Sequence, residues 1–233
     1  MSLKGRHVVI LGMGATALRK ADYIEQVCPD GCEVWSLNNA YAFFPNLAKA
    51  KRFTRFFELH EFGYLKTWKA GENERGEPID HFRTLDSLGC PVYVTQPLPM
   101  VRNQVQYPYG DVFESSGGLL YTLGSPTLML ALAVHEHKTG QTIERIDSYG
   151  IDTMDERHRQ QRAPWAVWTH SALWSGITMG GTSMAYVSEI DQDEGMKNLG
   201  PYVSEILREH QAAKKPNTTP PADATASTQG VST

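Results

Sequence analysis

The chain has 233 residues, of which 41% are hydrophobic and 21% are charged, and its formal net charge is −4. This length and composition fit one α/β domain with a well-buried core. The small negative charge gives no electrostatic sign of a nucleic-acid partner, and no apolar run approaches the roughly 18 residues that a membrane-spanning helix needs.

Two further features bear on the compartment. The first apolar run, residues 8–11, is short and ends in glycine, unlike the core of a secretory signal. The cysteines, Cys28, Cys32 and Cys90, form an odd set without the paired spacing of a structural zinc site. We therefore expect ordinary thiols in a protein of the reducing cytoplasm.

The first predicted elements carry the strongest signal. A strand at 7–11 runs into Gly12-Met13-Gly14-Ala15-Thr16-Ala17, and a helix is expected over 16–27. A strand, a glycine turn with G-x-G-x-x-A spacing and a helix are typical of a Rossmann-type phosphate-binding unit. The second strand, at 33–37, ends in Asn38-Asn39, where a dinucleotide site usually has an acid. The pattern favours a nucleotide and argues against NAD.

The later elements alternate between strands and helices. We predict strands at 52–59, 91–95, 143–149 and 184–187, one helix within 61–90, further helices at 125–137 and around 163–180, and a loop at 96–118. Ser125 is expected to be the N-cap of its helix. This alternation predicts an α/β fold, a single Rossmann-like, doubly wound, mostly parallel sheet over residues 1–210. Residues 211–233, rich in Lys, Pro, Thr and Ala, are predicted to form a disordered tail.

Ligands of such sheets bind outside the carboxyl ends of the strands. The sequence places a set of small and amide residues there, which offers neutral hydrogen-bond donors for phosphates and a base or ribose without requiring a metal: Gly12, Gly14, Thr16, Asn38, Asn39, Ser125 and Gly150. Glu58 and His60, at the end of the third predicted strand, are placed at the same edge. Each of the small and amide residues has a simpler interpretation. A glycine pair can be only a tight turn, and Asn38-Asn39 can cap or turn the chain.

Candidate catalytic groups are fewer. Histidine titrates near neutral pH, so His60, His158 and His170 are candidates for acid–base chemistry. A charged run at 155–162 offers Arg157, Arg159 and Arg162 as partners for a diphosphate, or it is a solvated surface.

Four short blocks resemble the bacterial sialyltransferases of glycosyltransferase family 42 and a related group, domain of unknown function 115, which includes motility-associated glycosyltransferases and archaeal pterin pyrophosphokinase-like proteins. The blocks read V-V-I-L-G-M-G-A-T, E-V-W-S-L-N-N, G-S-P-T-L-M-L-A-L-A-V and I-D-S-Y-G-I-D, within residues 7–155. Small bacteriophage proteins also look similar, and a phage origin would place the protein in the cytoplasm of the host. The resemblance implies a cytidine nucleotide surrounded by Gly12, Gly14, Thr16, Asn38, Ser125, Gly150 and Asp152. It implies His170 as the counterpart of the catalytic histidine, although at a different distance along the chain.

The sequence thus predicts a metal-independent, glycosyltransferase-like transferase, with a nucleotide or nucleotide-sugar as substrate and no permanently bound cofactor. Catalysis is assigned to His170 as general base, Arg162 on the departing phosphate, and Asp152. Two alternatives stay open: a non-catalytic phage protein that binds or sequesters a nucleotide, and a pterin pyrophosphokinase-like enzyme. The sequence gives no indication of the oligomeric state.

Overall fold

A seven-stranded sheet organises the part of the protein that the computed structural model describes, which is residues 5–14, 17, 31–68, 71, 76, 78–118, 121–122, 124–151 and 160–181. Its strands are β1 (Arg6–Leu11), β2 (Glu33–Leu37), β3 (Arg55–Glu58), β4 (Val92–Val94), β5 (Gln104–Gln106), β6 (Ile143–Tyr149) and β7 (Thr178–Gly180).

The strand order is β5-β4-β3-β2-β1-β6-β7, and every pairing between these strands is parallel. The chain moves outwards from β1 to β5, then returns to the other side of β1 and continues to β7. This reversal confirms the predicted Rossmann-like, doubly wound α/β fold, and its switch point lies between β1 and β6.

Seven helices are found among the described residues: α1 (Ala40–Phe43), α2 (Pro45–Lys49), α3 (Phe62–Leu65), α4 (His81–Ser87), α5 (Tyr109–Ser115), α6 (Ser125–Lys138) and α7 (Arg162–Trp174). None of them is long and apolar enough to cross a membrane.

The strands bury both faces because their alternate side chains point to opposite sides. Val9 and Leu11 of β1 pack in one apolar cluster with residues of α1, α2 and α4, and Val8 and Ile10 pack in another with residues of α6 and α7. Continuous apolar strands are expected where helices cover a parallel sheet on both faces.

Helix α6 is buried on nearly every side. It lies on the sheet over β2, β3 and β6, and it contacts α5 and α7. Ten of its residues are buried, including the consecutive run from Thr127 to Val134. A helix that is apolar all round needs such an enclosed position.

The structure corrects several boundaries. The segment predicted as a loop, 96–118, contains β5 and α5, whose polar and exposed residues hide the strand and helix periods. The predicted helix around 163–180 ends at Trp174, and β7 follows within the same segment. Helix α6 begins at Ser125 itself, and its N-cap is Gly124, with φ of 91°.

One correction concerns the cysteines. Cys32 is disulfide-bonded, whereas Cys90 is a buried free thiol, so the expectation of three ordinary thiols is wrong. Burial raises the pKa of the Cys90 thiol to about 11. Cys28, most of the helix predicted at 16–27, the strand at 184–187 and the tail at 211–233 lie outside the described residues.

Candidate functional site

The carboxyl ends of β1 and β6 touch through two glycines. A Cβ on Gly12 would overlap the carbonyl oxygen of Gly150 and come within 2.7 Å of Cδ1 of Ile151. Gly150 has φ of 71°, and a Cβ there would lie 2.9 Å from the Gly12 carbonyl carbon. Only glycine satisfies these positions, because the two backbones approach too closely for a side chain.

Two backbone donors of this turn are used within the fold. The N–H of Gly12 donates to the Tyr149 carbonyl at 2.8 Å, and the N–H of Gly14 donates to the Gly150 carbonyl at 3.0 Å. These bonds and the close packing explain Gly12 and Gly150 without a ligand. Their role in nucleotide binding stays a prediction, and Thr16 lies outside the described residues.

Asn38 ends the neighbouring strand. Its backbone is left-handed, with φ of 54°, and its N–H donates to the Phe57 carbonyl of β3 at 2.9 Å. Its side-chain oxygen Oδ1 is buried, yet no hydrogen-bond partner for it is found in the described structure. Asparagine tolerates this backbone better than most residues, which accounts for the turn. The turn does not account for the unpartnered oxygen.

The end of β3 carries a row of polar side chains. Glu58 is 0% exposed, and its register places it beside Asn38, because each follows one of the paired residues Leu37 and Phe57. Oε1 of Glu58 accepts from Nδ1 of His60 at 2.7 Å, and Oε2 accepts from Nε2 of His81 at 2.8 Å. The backbone N–H of His60 also donates to Oε1, at 3.2 Å.

The row continues into the core on one side. The Tyr41 hydroxyl lies 2.5 Å from Nδ1 of His81 and donates to it, since the other ring nitrogen is the donor to Glu58. Burial, followed by the nearby charges of Glu58 and Asp80, raises the pKa of Tyr41 well above its usual range, so its hydroxyl keeps its proton. We call Tyr41, His81, Glu58 and His60 the Glu58 relay.

The Glu58 carboxylate is the charge on which the relay depends. Burial acts to raise its pKa, but hydrogen bonds from His60 and His81 outweigh burial, and the pKa is lowered. The two histidines differ in exposure: the side chain of His60 is 37% exposed and that of His81 is 5% exposed. The relay therefore links the protein interior to its surface through one ionised carboxylate.

Of the remaining predicted site residues, Ser125 and Arg162 are placed by the direction of their helices. Because only residues 139–142 join α6 to β6, and 175–177 join α7 to β7, both helices have their C-termini near the amino edge. Ser125 and Arg162 begin these helices at the opposite, carboxyl edge, and the Gln161 side chain lies next to Gly124. Asn39 is the residue preceding α1.

His170 is not brought to this edge. It lies eight residues along α7 from Arg162, about 12 Å further along the helix axis. Its Nδ1 is 2.8 Å from the Ala166 carbonyl of the same helix, and its ring packs near Trp174. The geometry offers His60, rather than His170, to a ligand at the carboxyl edge. Asp152 lies outside the described residues.

Sequence reasoning named Glu58 and His60 at the carboxyl edge but missed Tyr41 and His81. These two belong to α1 and α4 and are distant from Glu58 in sequence. No local motif marks them, because only the packing of both helices on the same face of the sheet brings them to the carboxylate. In the described part of the chain, no group of three or more His, Cys, Asp or Glu residues is arranged to hold a metal ion.

Comparison of the chain with protein-family models, with curated proteins and with solved structures found no match. The resemblance to glycosyltransferase family 42 and its relatives stays a prediction.

Proposed function

We propose that this protein is a transferase that binds a nucleotide-activated donor at the carboxyl edge of its sheet, and that its chemistry is glycosyltransferase-like. The observation that carries the proposal is the buried, unpartnered Oδ1 of Asn38 beside the Glu58 relay. A buried polar atom without a partner costs roughly 1–3 kcal/mol, which a ligand donor would recover. The Asn38 residue is half-buried, so rotation of its amide can present oxygen or nitrogen to a base or ribose.

Because the N–H groups of Gly12 and Gly14 are used within the fold, the phosphates of the donor would need other donors as well. The beginnings of α6 and α7 place the positive ends of two helix dipoles at this edge. Arg162 begins α7 and has a guanidinium that matches phosphate oxygens. These groups would stabilise the negative charge of the departing nucleotide.

The non-catalytic alternative is a protein that only binds and sequesters a nucleotide. The occupied N–H groups of Gly12 and Gly14 fit that alternative as well as they fit a transferase. A pterin pyrophosphokinase would require carboxylates for Mg²⁺. Asp147, Asp152 and Asp155 are the acids near the end of β6 that could supply them, and of these Asp147 lies within the described residues. Asp147 accepts from Nε2 of His7 at 2.7 Å and from Nε of Arg145 at 2.8 Å. Both of its neighbours therefore compete with a metal for this carboxylate.

Thermal unfolding with CMP, UDP, GDP, ATP and NAD, each with and without Mg²⁺, tests the proposal. A nucleotide at about 100 times its Kd should stabilise the protein by roughly 2.7 kcal/mol. We expect a shift with a mononucleotide or diphosphate that does not require Mg²⁺. A shift with NAD alone, or with none of the panel, would contradict the proposal.

Asn38→Gly separates recognition from the turn. Glycine adopts φ of 54° without strain, so the turn is kept while the amide is removed. We expect nucleotide affinity to fall by about 1–3 kcal/mol, or roughly 5- to 150-fold, with little change in stability. Asn38→Asp is the matched variant, which should repel an anionic nucleotide. Normal binding by Asn38→Gly would reduce Asn38 to a turn residue.

A further inference from the structure

The two histidines of the Glu58 relay are not equivalent as bases. Both ring nitrogens of His81 are engaged, one by Glu58 and the other by Tyr41. In His60 only Nδ1 is engaged, by Glu58, and among the described residues Nε2 has no hydrogen-bond partner. Since Nδ1 carries the proton that Glu58 accepts, the neutral ring has its lone pair on Nε2.

We propose that His60 is the general base of this protein and accepts the proton of the attacking acceptor hydroxyl at Nε2. Glu58 is the positioning residue, which fixes the tautomer of His60 and stabilises the imidazolium that forms. The inference rests on the proposed transferase function and deepens it by assigning the acceptor side of the same edge.

Several contacts hold the His60 ring in place. The carboxylate below it is fully buried and is fixed from the other side by His81, which Tyr41 holds in turn. The Tyr64 ring lies 5.1 Å from the His60 ring, centroid to centroid, and Trp68 lies 6.1 Å away. An orienting carboxylate behind an imidazole whose second nitrogen is open is the arrangement that a histidine base requires.

The open side of His60 also defines where an acceptor would lie. Tyr64 is 52% exposed, so one face of its ring meets water beside the imidazole. Aromatic faces of this kind pack against the flat faces of other rings. We assign the acceptor hydroxyl to a ring-bearing molecule that contacts Tyr64 and presents its O–H to Nε2 of His60.

The chemical step is balanced within these groups. The acceptor oxygen forms a bond to the anomeric carbon of the donor sugar as its proton moves to Nε2 of His60. The bond from that carbon to the nucleotide phosphate oxygen breaks, and this oxygen leaves with the electron pair. The His60 imidazolium, stabilised by Glu58, then returns the proton to solvent.

The test uses the full chain and His60→Asn. The asparagine amide can still donate to Glu58 in place of Nδ1 but provides no base in place of Nε2. The probes are CMP-, UDP- and GDP-linked sugars, with water as the acceptor, and the readout is sugar release. We expect release to fall about 100- to 10,000-fold while the thermal shift with the matching nucleotide is unchanged.

His135→Asn is the matched control. His135 is half-buried in α6 and its Nδ1 is 2.8 Å from the Ser115 hydroxyl, at the C-terminal end of the helix and away from the relay. We expect it to release sugar at the wild-type rate. Carbethoxylation followed by mass spectrometry is the second readout: in the wild type, His60 should react through its open Nε2, whereas His81, with both ring nitrogens engaged, should not.

The outcomes separate the two proposals. Sugar release at the wild-type rate by His60→Asn, or nucleotide binding without any release by the wild type, would overturn the base and leave nucleotide recognition standing. A His60 that resists carbethoxylation as strongly as His81 would show that its Nε2 is not open and would also overturn the base. Failure of every nucleotide to bind would overturn the proposed function, and this inference with it.

Discussion

The two edges of the sheet use their polar side chains in different ways. At the amino edge, Arg6 joins Glu33 at 2.5 Å and Glu136 at 2.8 Å, and Arg55 joins the same two carboxylates. Trp35 adds a hydrogen bond to Glu33 at 2.7 Å, and the Arg55 guanidinium lies over the Trp35 ring. The charges balance, two arginines against two glutamates, and they tie the starts of β1, β2 and β3 to α6.

At the carboxyl edge the polar groups are only partly matched. Glu58 holds two histidines, but Nε2 of His60 and Oδ1 of Asn38 have no partner in the described structure. Four ion pairs use the charges at the amino edge to join elements, although Nη2 of Arg6 has no partner among the described residues, whereas the carboxyl edge leaves one atom of His60 and one of Asn38 unpaired. This difference separates a structural network from a site that can bind and react.

The largest change in the free energy of unfolding is expected at Gly150, where the carboxyl edge is most tightly packed. Gly150→Ala should lower the free energy of unfolding by about 3–5 kcal/mol, since left-handed strain adds to overlap with Ala17 and Gly12. The unfolding midpoint should fall by about 2–4 °C per kcal/mol. Gly63→Ala, where a Cβ meets nothing within 4 Å, is the matched control and should be close to neutral. Equal stability of both variants would show that the glycine contact is loose.

A second substitution tests whether the amino edge is purely structural. Glu136→Ala leaves Arg6 and Arg55 with one carboxylate fewer, and Nη2 of Arg6 is already buried without a partner. We expect a loss of about 2–3 kcal/mol, below the range for a fully buried pair because both arginines are partly exposed. Nucleotide affinity should be unchanged in thermal-shift titrations. A loss of affinity would mean that the two edges are coupled.

The smallest effect concerns acid stability and compares the edges directly. Burial raises the pKa of Glu58 and of Glu33, but hydrogen bonds from the histidines and from Arg6 and Trp35, respectively, lower both overall. A lowered folded pKa contributes stability above the unfolded value, about 4.3, and this stability is lost as the pH falls through the folded pKa. Urea unfolding from pH 3 to 7 should be less pH-dependent in Glu58→Gln and in Glu33→Gln than in the wild type. An unchanged slope in either variant would contradict the corresponding shift.

Much of the fold was readable because local pattern and burial agree. Apolar runs and turn residues predict the strands at 33–37 and 143–149. They also predict where α6 begins, to within one residue. β5 was missed because an edge strand of Gln104, Val105 and Gln106 carries no apolar alternation. The roles proposed for Asn38 and His60 depend on three-dimensional contacts: the missing partner of Asn38 Oδ1 and the bond from His60 to Glu58. The sequence predicts only that both residues follow strand ends.

Disulfide-bonded Cys32 lies just before β2, at the amino edge. Disulfides are rare in reducing compartments, so the cytoplasmic assignment stays a prediction. Urea unfolding with and without a reductant measures how much the disulfide bond contributes to the free energy of unfolding.

The enclosed position of α6 has a consequence for synthesis on the ribosome. Its outward face is covered by α7, which emerges more than twenty residues later. A nascent chain that has passed Lys138 but has not reached Arg162 exposes Leu and Met side chains that the finished protein hides. A chain with this much exposed apolar surface is prone to aggregate or to bind a chaperone. Truncation before α7 should therefore yield aggregates rather than a smaller folded protein.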